Sequence, residues 1–194
     1  LQDSPLHHTA HFLLTLYGME SAAEFCARLH SDPAETALDI AEELLEVGMA
    51  GETAALFRTI EEELGAERLS AMAYYTLADA YEQLGHNAEA DLYRKKARSM
   101  PIVRVFPHRL FEIDILRRAC EADDGDGVAR YLLGCVLYGK GQHEKAAALW
   151  EEATRVMPEF YIPYRNLAMA YYSHLERKKD ALPYLEKAVS LHPG

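Results

Sequence analysis

Residues 127–158 read GVARYLLGCVLYGKGQHEKAAALWEEATRVMP, and their apolar residues recur with the period of two helices joined by a short turn. Gly141 interrupts the first helical pattern, and Pro158 ends the second. Small side chains alternate with large ones on the inward positions, which lets two helices approach closely without leaving a void. These positions are Leu133, Gly134, Leu137, Ala146, Trp150 and Ala153. The stretch therefore predicts an antiparallel helical hairpin, which needs neighbouring copies to cover its apolar face.

A second copy follows at residues 161–193, with one extra residue in its turn. Its matching positions are Tyr164, Leu167, Ala168, Tyr171, Ala181, Leu185, Ala188 and Pro193. Both segments resemble tetratricopeptide repeats, whose pattern is W-x2-L-G-x2-Y, then A-x3-F, then Pro, in about 34 residues. Arg130 replaces the first aromatic residue of the pattern in one copy, whereas Tyr164 keeps it in the other. The resemblance implies an architecture and names no ligand.

The rest of the chain follows the same plan less regularly. We expect five hairpins, at residues 4–31, 33–64, 69–100, 127–158 and 161–192. Between the third and fourth, we predict an extended apolar strap at 101–106 and an unpaired helix at 107–122. Arg94 occupies an aromatic position of the pattern, so we expect Leu92 or Tyr93 to pack there instead.

Together these segments predict an all-α fold: an α-solenoid of antiparallel helical hairpins, with about eleven helices in a right-handed superhelix. We expect a single array that spans residues 1–194.

The composition is that of a soluble globular chain, since 49% of the 194 residues are apolar and 26% are charged. No apolar run approaches the roughly 18 residues that a membrane-spanning helix needs. Cys26, Cys120 and Cys135 are odd in number and have apolar neighbours, which predicts buried free thiols and favours a cytoplasmic location. The chain begins at Leu1 without a Met or a leader pattern, so we interpret it as a fragment of a longer protein.

Charge is distributed unevenly along the chain, whose formal net charge is −11. Residues 31–67 contain eleven acids and one base, whereas residues 94–118 contain eight bases and two acids. The simplest interpretation is solvated helix faces. The alternative is that these charges orient a charged partner or support head-to-tail association. A nucleic-acid partner is not expected, because phosphate binding needs a dominant basic surface.

The sequence offers few candidates for catalysis or metal binding. His7 and His11 are four residues apart and could share a helix face, but no third ligand follows at a recognisable spacing. The acidic run at 123–126 lacks the downstream Gly and terminal Glu of a calcium loop, and is better interpreted as helix termination and capping. No nucleophile motif or phosphate loop stands out. We therefore expect no enzyme activity, no cofactor and no metal site.

The resemblance to tetratricopeptide repeats also implies a binding site. In that family, the first helices of successive hairpins line a concave groove that receives extended peptides. Carried over to this sequence, the groove candidates are Asp39, Glu42, Tyr75, Thr76, Asp79, Glu82, Tyr131, Cys135, Tyr138, Arg165, Asn166, Met169 and Tyr172. Packing between hairpins is an equally good role for each tyrosine. Arg165 and Asn166 are only a fragment of the Lys and Asn pattern by which some members hold a C-terminal carboxylate.

We therefore predict a non-catalytic scaffold that binds a protein or peptide segment of unknown identity, and neither nucleic acid nor a membrane. The strap, the unpaired helix and the last two repeats also resemble repeat arrays near the C-terminal end of large bacterial proteins. Those proteins carry an upstream β-rich domain thought to relate to carbohydrate use. The alternative function is thus a structural or dimerisation module of such a protein, without a peptide ligand.

The final predicted helix, residues 180–191, has more apolar residues than one partner helix covers: Leu182, Tyr184, Leu185, Ala188, Val189 and Leu191. Large exposed apolar patches are rare on monomers, so we expect this face to form a homodimer or to be covered by further repeats.

Overall fold

The computed structural model describes residues 5–29 and 32–192 of the chain. Within these ranges it has eleven α-helices, one short 3-10 turn and no strand, which confirms the all-α fold. Both ends of the first predicted hairpin and Pro193 lie outside the described residues.

The helices fall into two compact units, Leu1–Pro101 and Ile102–Gly194, which we call unit 1 and unit 2. Unit 1 contains α1 (Pro5–Leu16), α2 (Ala22–Arg28), α3 (Pro33–Glu46), α4 (Ala50–Leu64), α5 (Ala71–Gln83) and α6 (Asn87–Ser99). Unit 2 contains α7 (Leu110–Ala122), α8 (Gly127–Gly139), α9 (His143–Val156), α10 (Tyr161–Ser173) and α11 (Lys178–Leu191). Each predicted hairpin therefore has its two helices, and α7 precedes α8 as the additional one. The single array and its superhelical hand stay predictions.

Helix boundaries in unit 1 follow local chemistry. Ser21 begins α2 with a capping box: its hydroxyl accepts from the backbone N–H of Glu24, and the Glu24 carboxylate accepts from the backbone N–H of Ser21. Asp32 caps α3 in front of Pro33, whose fixed φ suits the first helical turn. Gly85 separates α5 from α6 at a φ of 80°, a left-handed conformation that glycine adopts without strain.

An aromatic column holds α5 against α6. The Tyr93 ring stacks on Tyr81 with centroids 5.3 Å apart, and it lies nearly parallel to the Tyr74 ring at 6.3 Å. This confirms that Tyr93 packs where the repeat pattern has an aromatic residue, whereas Leu92 is 60% exposed. Arg94 is buried and forms ion pairs with Glu82 and with Asp91. Its charge is thus neutralised beside the helix interface.

A close approach between α8 and α9 organises unit 2. A Cβ atom built on Gly134 would lie 2.4 Å from Nε1 and 2.6 Å from Cδ1 of Trp150. The indole is buried and donates a hydrogen bond from Nε1 to the backbone oxygen of Tyr131 at 3.1 Å. Gly141, at a φ of 77°, then ends the α8 side of the hairpin. The predicted roles of Gly134, Trp150 and Gly141 in the hairpin are confirmed.

Arg130 stands where the repeat pattern begins with an aromatic residue. Its side chain is 9% exposed, and Nε donates to Oε2 of Glu152 on α9 at 2.9 Å. Nη1 also donates to the backbone oxygen of Asp126 at 3.3 Å. The arginine therefore joins α8 to α9 by hydrogen bonds where an aromatic residue would do so by ring packing.

The extended strap predicted at 101–106 is wrong in its middle, where the chain turns. The backbone N–H of Val105 donates to the oxygen of Ile102 at 3.2 Å, and both of these side chains are buried while Val103 and Phe106 are exposed. Two apolar residues three apart can face the same core only if the backbone bends between them. α7 begins at Leu110, three residues later than predicted. The Glu112 carboxylate in its first turn accepts hydrogen bonds from the backbone N–H groups of His108 and Arg109, at 2.6 and 2.7 Å.

The last helix leaves an apolar stripe exposed. Ala181 and Ala188 are buried against α10, as the repeat pattern predicts, but Leu185 is 47% exposed. Leu182 and Val189 are 57% and 55% exposed on the same side of α11. Tyr184 faces inward instead and packs 5.7 Å from the ring of Tyr171.

Replacement of Gly134 by Ala tests the close approach. We expect a loss of unfolding free energy of about 1–3 kcal/mol, because the added methyl group displaces the buried Trp150 ring. The matched control is Gly139→Ala in the last turn of the same helix, where a Cβ meets nothing within 4 Å. That change should be neutral or stabilise by up to about 1 kcal/mol. Chemical denaturation followed by circular dichroism measures both, and equal effects would contradict this packing.

Candidate functional site

A cavity of about 190 Å³ opens in unit 2 between α8 and α10. It is lined by Phe106, Tyr131, Cys135, Tyr138, Trp150, Arg165, Asn166 and Met169. α8 and α10 are the first helices of the last two hairpins. The structure therefore brings together six of the predicted groove residues from these helices.

The α8 wall is aromatic. Tyr131, Cys135 and Tyr138 are spaced four and three residues apart, which places them on one face of the helix. Tyr131 is buried, and its ring packs edge-on against Phe160 with centroids 5.3 Å apart. Tyr138 packs at the same distance against Trp150, which forms the floor of the cavity. The wall is thus held by the same indole that joins α8 to α9.

Two stacked histidines support Tyr138 from behind. The imidazoles of His143, at the start of α9, and His174, at the end of α10, lie 4.1 Å apart and nearly parallel. Each also contacts the Tyr138 ring edge-on, at 4.8 and 5.4 Å. The position of Tyr138 at the cavity therefore depends on the turns that end the two neighbouring hairpins.

The α10 wall combines a cation, an amide and a thioether. Arg165 is exposed at the cavity, and its Nη2 donates to Oδ1 of Asn166 at 3.3 Å. Met169, one turn further along, is 55% exposed. A thioether side chain is flexible and polarisable, so it adapts to the shape of an apolar ligand group. This wall offers both an adjustable apolar surface and a positive charge.

Phe106 completes the cavity from the loop before α7, and the sequence analysis did not place it in a site. Its ring is 68% exposed although it lines the cavity. The available signal was the large aromatic residue directly before Pro107, at the end of an apolar run. We interpreted that run as a strand-like strap, in which every second residue would have been buried.

Burial sets the protonation of the groups in the cavity. It raises the pKa of the Cys135 thiol to about 11, even though the Arg165 charge acts in the opposite direction. Burial also raises the pKa of the Tyr131 and Tyr138 hydroxyls above their ordinary range. These groups are therefore neutral near pH 7, and Arg165 supplies the charge of the lining.

The predicted groove residues of unit 1 are arranged differently. Tyr75 and Asp79 are 1% and 3% exposed, so the structure does not present them to a ligand. Every residue from Ala71 to Ala80 is buried, which fits a helix whose sequence is apolar or small on all sides. The Asp79 carboxylate accepts from Gln83 at 2.8 Å.

The remaining candidates lie outside the cavity lining. Glu82 forms an ion pair with Arg94, and Asp39 and Glu42 are half-buried on α3. Tyr172 is 58% exposed, one turn beyond Met169 on α10, and Lys178 Nζ lies 5.1 Å from the centre of its ring. Tyr172 is thus an exposed continuation of the α10 wall.

Two larger concavities in unit 2, of about 370 and 330 Å³, lie on the other side of α9. Several polar groups at the first of them are already engaged. Glu151 accepts hydrogen bonds from the hydroxyls of Tyr171 and Tyr184, and Arg177 forms an ion pair with Asp180 at 2.7 Å. The smaller α8–α10 cavity therefore has the stronger features of a binding site.

The structure also places the other sequence candidates. His11 Nδ1 lies 2.6 Å from Oε2 of Glu20, with its ring edge-on to His7 at 4.5 Å. Across residues 5–29 and 32–192, His, Cys, Asp and Glu side chains form no group of three or more that could hold a metal ion. Asp126 caps α8, as predicted for the acidic run. No helix within the described ranges has the length and apolar character to span a membrane.

Comparison with known proteins gives two family matches and a set of solved structures with some similarity. Residues 71–98 and residues 131–194 each match a family described as tetratricopeptide repeat. The crystal structure of MamA is 20% identical over 93% of both chains, with a TM-score of 0.45. YrrB, described as a TPR protein with an unusual peptide-binding site, is 18% identical over 98% of this chain and 87% of its own, with a TM-score of 0.45. A MamA fragment from Desulfovibrio magneticus RS-1 is 17% identical over 85% and 97%, with a TM-score of 0.42.

The raised pKa of Cys135 predicts slow alkylation. In the Cys26→Ala/Cys120→Ala variant, we expect the iodoacetamide reaction at pH 8 to be on the order of a hundredfold slower than that of an ordinary cysteine, because the thiolate is the reacting form. The rate should still be rising at pH 10. The same variant in denaturant supplies the control, and a folded-state plateau near pH 9 would contradict the raised pKa of this thiol.

Proposed function

Because the chain belongs to the tetratricopeptide repeat family through residues 71–98 and 131–194, we propose that it is a non-catalytic scaffold that binds a segment of a partner protein. The site is the α8–α10 cavity of unit 2. Tetratricopeptide repeats generally serve as interaction modules. A side chain of the bound partner segment would occupy the cavity.

The exposed apolar lining is the observation that carries this proposal. Phe106 and Met169 are 68% and 55% exposed at the cavity, above a floor made by Trp150. Apolar groups grouped around a concavity are stabilised when a ligand removes them from water. A binding role accounts for an arrangement that contributes little to the stability of the free chain.

The cavity size supports a peptide over a free small molecule. Its volume is about 190 Å³, whereas pockets for drug-sized ligands typically hold roughly 300–1,000 Å³. One apolar side chain can fill this space, and the adjoining exposed residues of α10 would contact the neighbouring part of the same segment. Anchoring by one buried side chain is typical of peptide recognition.

A structural or dimerisation module is the second candidate. It is supported by the exposed stripe of Leu182, Leu185 and Val189 on α11. This second candidate includes the proposal that the chain is part of a larger bacterial protein. A reducing cytoplasm is proposed as well, with the three free cysteines in support.

Selection from a random displayed-peptide library tests the binding role. We expect peptides enriched on the wild-type chain to bind Met169→Glu about tenfold more weakly or worse, because a carboxylate replaces an apolar wall of the cavity. Leu92→Glu in unit 1 is the matched control, since Leu92 is 60% exposed on α6. Fluorescence anisotropy gives the affinities, and circular dichroism confirms the helical content of both variants. Equal affinities for the two variants, or no enrichment on the wild type, would contradict the proposal.

A further inference from the structure

The two helices that form the cavity carry no acidic residue. Neither α8 (Gly127–Gly139) nor α10 (Tyr161–Ser173) contains Asp or Glu, although the chain has 31 of them. Their ionisable basic residues are Arg130 and Arg165. Arg130 is buried and hydrogen-bonded to Glu152, so Arg165 provides the accessible positive charge of this surface.

Arg165 has no acidic partner within the described part of the chain. Its one hydrogen bond to a side chain goes to the neutral amide of Asn166. Among the other arginines of unit 2, Arg117 pairs with Asp114 at 2.7 Å and Arg177 with Asp180 at 2.7 Å. Arg104 and Arg155 also have no ion pair within the described residues, but they lie outside the cavity lining. A guanidinium stays charged in proteins and matches the geometry of a carboxylate with two parallel N–H donors. The open donors of Arg165 thus fit a carboxylate from outside the chain.

A second cation, Lys178 at the start of α11, lies beside the far end of α10. Lys178 Nζ lies over the Tyr172 ring, and Tyr172 follows Arg165 by seven residues, about 10 Å along the helix axis. Met169 and the mouth of the cavity lie between them. On one face of an extended chain, side chains recur every second residue, about 7 Å apart. Two acidic side chains four positions apart, about 13 Å, and the apolar side chain midway between them can therefore all face α10. The acids would then reach the two cations while the apolar side chain enters the cavity.

Two of the three first helices of the hairpins in unit 1, α3 and α5, have the opposite charge. α3 and α5 carry seven acidic side chains: Glu35, Asp39, Glu42, Glu43, Glu46, Asp79 and Glu82. Unit 1 has 7 Lys and Arg residues against 18 Asp and Glu, whereas unit 2 has 13 of each, so the whole net charge of −11 belongs to unit 1. Repulsion by unit 1 disfavours an acidic ligand there, and the acid-free cavity of unit 2 accepts one.

We propose that the α8–α10 cavity selects an acidic segment, in which an internal Asp or Glu side chain binds Arg165 and an adjacent apolar side chain fills the cavity. This inference rests on the proposed binding function and adds the chemistry of the ligand. The two nearby cations favour side chains within a continuous segment over a single terminal carboxylate, because one terminal group cannot reach both.

Binding of defined peptides tests the charge preference. The probe is Ac-Gly-Gly-Glu-Ser-Leu-Ser-Glu-Gly-Gly-amide, presented on an array beside versions with Gln or Lys in place of both Glu residues, and with Phe or Met in place of Leu. A further version, Ac-Gly-Gly-Gln-Ser-Leu, has no Glu and ends in a free C-terminal carboxylate at the Leu. We expect the Glu versions to bind the wild type at least about tenfold better than the Lys versions, with the preference weakening as salt rises.

Arg165→Glu should reverse this order, so that the Lys versions bind better than the Glu versions. The matched control is Arg155→Glu, an exposed arginine of α9 that lies outside the cavity lining, and it should keep the preference for Glu. Circular dichroism confirms that both variants stay helical.

Three outcomes would overturn the acidic-segment proposal while the binding function stands: binding that depends on Met169 but shows no charge preference, a preference for Lys, or binding of the free-carboxylate version alone. Self-association that Arg165→Glu abolishes would also overturn it, because the occupant would then be a second copy of the chain. Array and library binding that Met169→Glu leaves unchanged would overturn the proposed function itself.

Discussion

The contact between the α-carbon of Gly134 and the indole of Trp150 is the constraint on which the rest of unit 2 depends. Since even a methyl group at residue 134 would lie within 2.4 Å of the indole nitrogen, α8 and α9 can pack at this distance only with glycine there. The indole then reaches the backbone oxygen of Tyr131 and forms the floor of the cavity. One packing contact therefore fixes the hairpin and shapes the cavity next to it.

The separation of charge between the units gives this surface its chemical character. Acidic residues are concentrated in unit 1, and the helices that line the cavity in unit 2 have none. An arginine placed among paired charges would be satisfied within the chain and would contribute little to recognition. Arg165 keeps open donors beside an apolar cavity, where removal from water on ligand binding strengthens its interaction with a carboxylate.

Much of the fold could be predicted because each helical hairpin is encoded by a short stretch of sequence in which apolar residues recur with the helical period. The turn glycines, the Ser and Asp caps and the stripe around Trp150 all act over a few residues, and the structure follows them. The turn at Ile102–Val105 and the role of Phe106 could not be predicted this way, because a short apolar run has no helical period to test. The burial of Tyr75 and Asp79 had a signal that we did not weigh: residues 71–80 are apolar or small around the whole helix. The α8–α10 residues were predicted as a group through the resemblance to tetratricopeptide repeats, in which the first helices of successive hairpins line the groove.

A methyl NMR titration tests the central claim, that the α8–α10 cavity is the ligand site, most directly. The chain has six methionines, and Met169 is the one that lines the cavity. With 13C-methyl methionine labelling, a peptide that binds the chain should shift the Met169 resonance first and most, in proportion to occupancy. The methionines outside the cavity should change little. Saturating peptide that shifts another methionine and leaves Met169 in place would contradict the account.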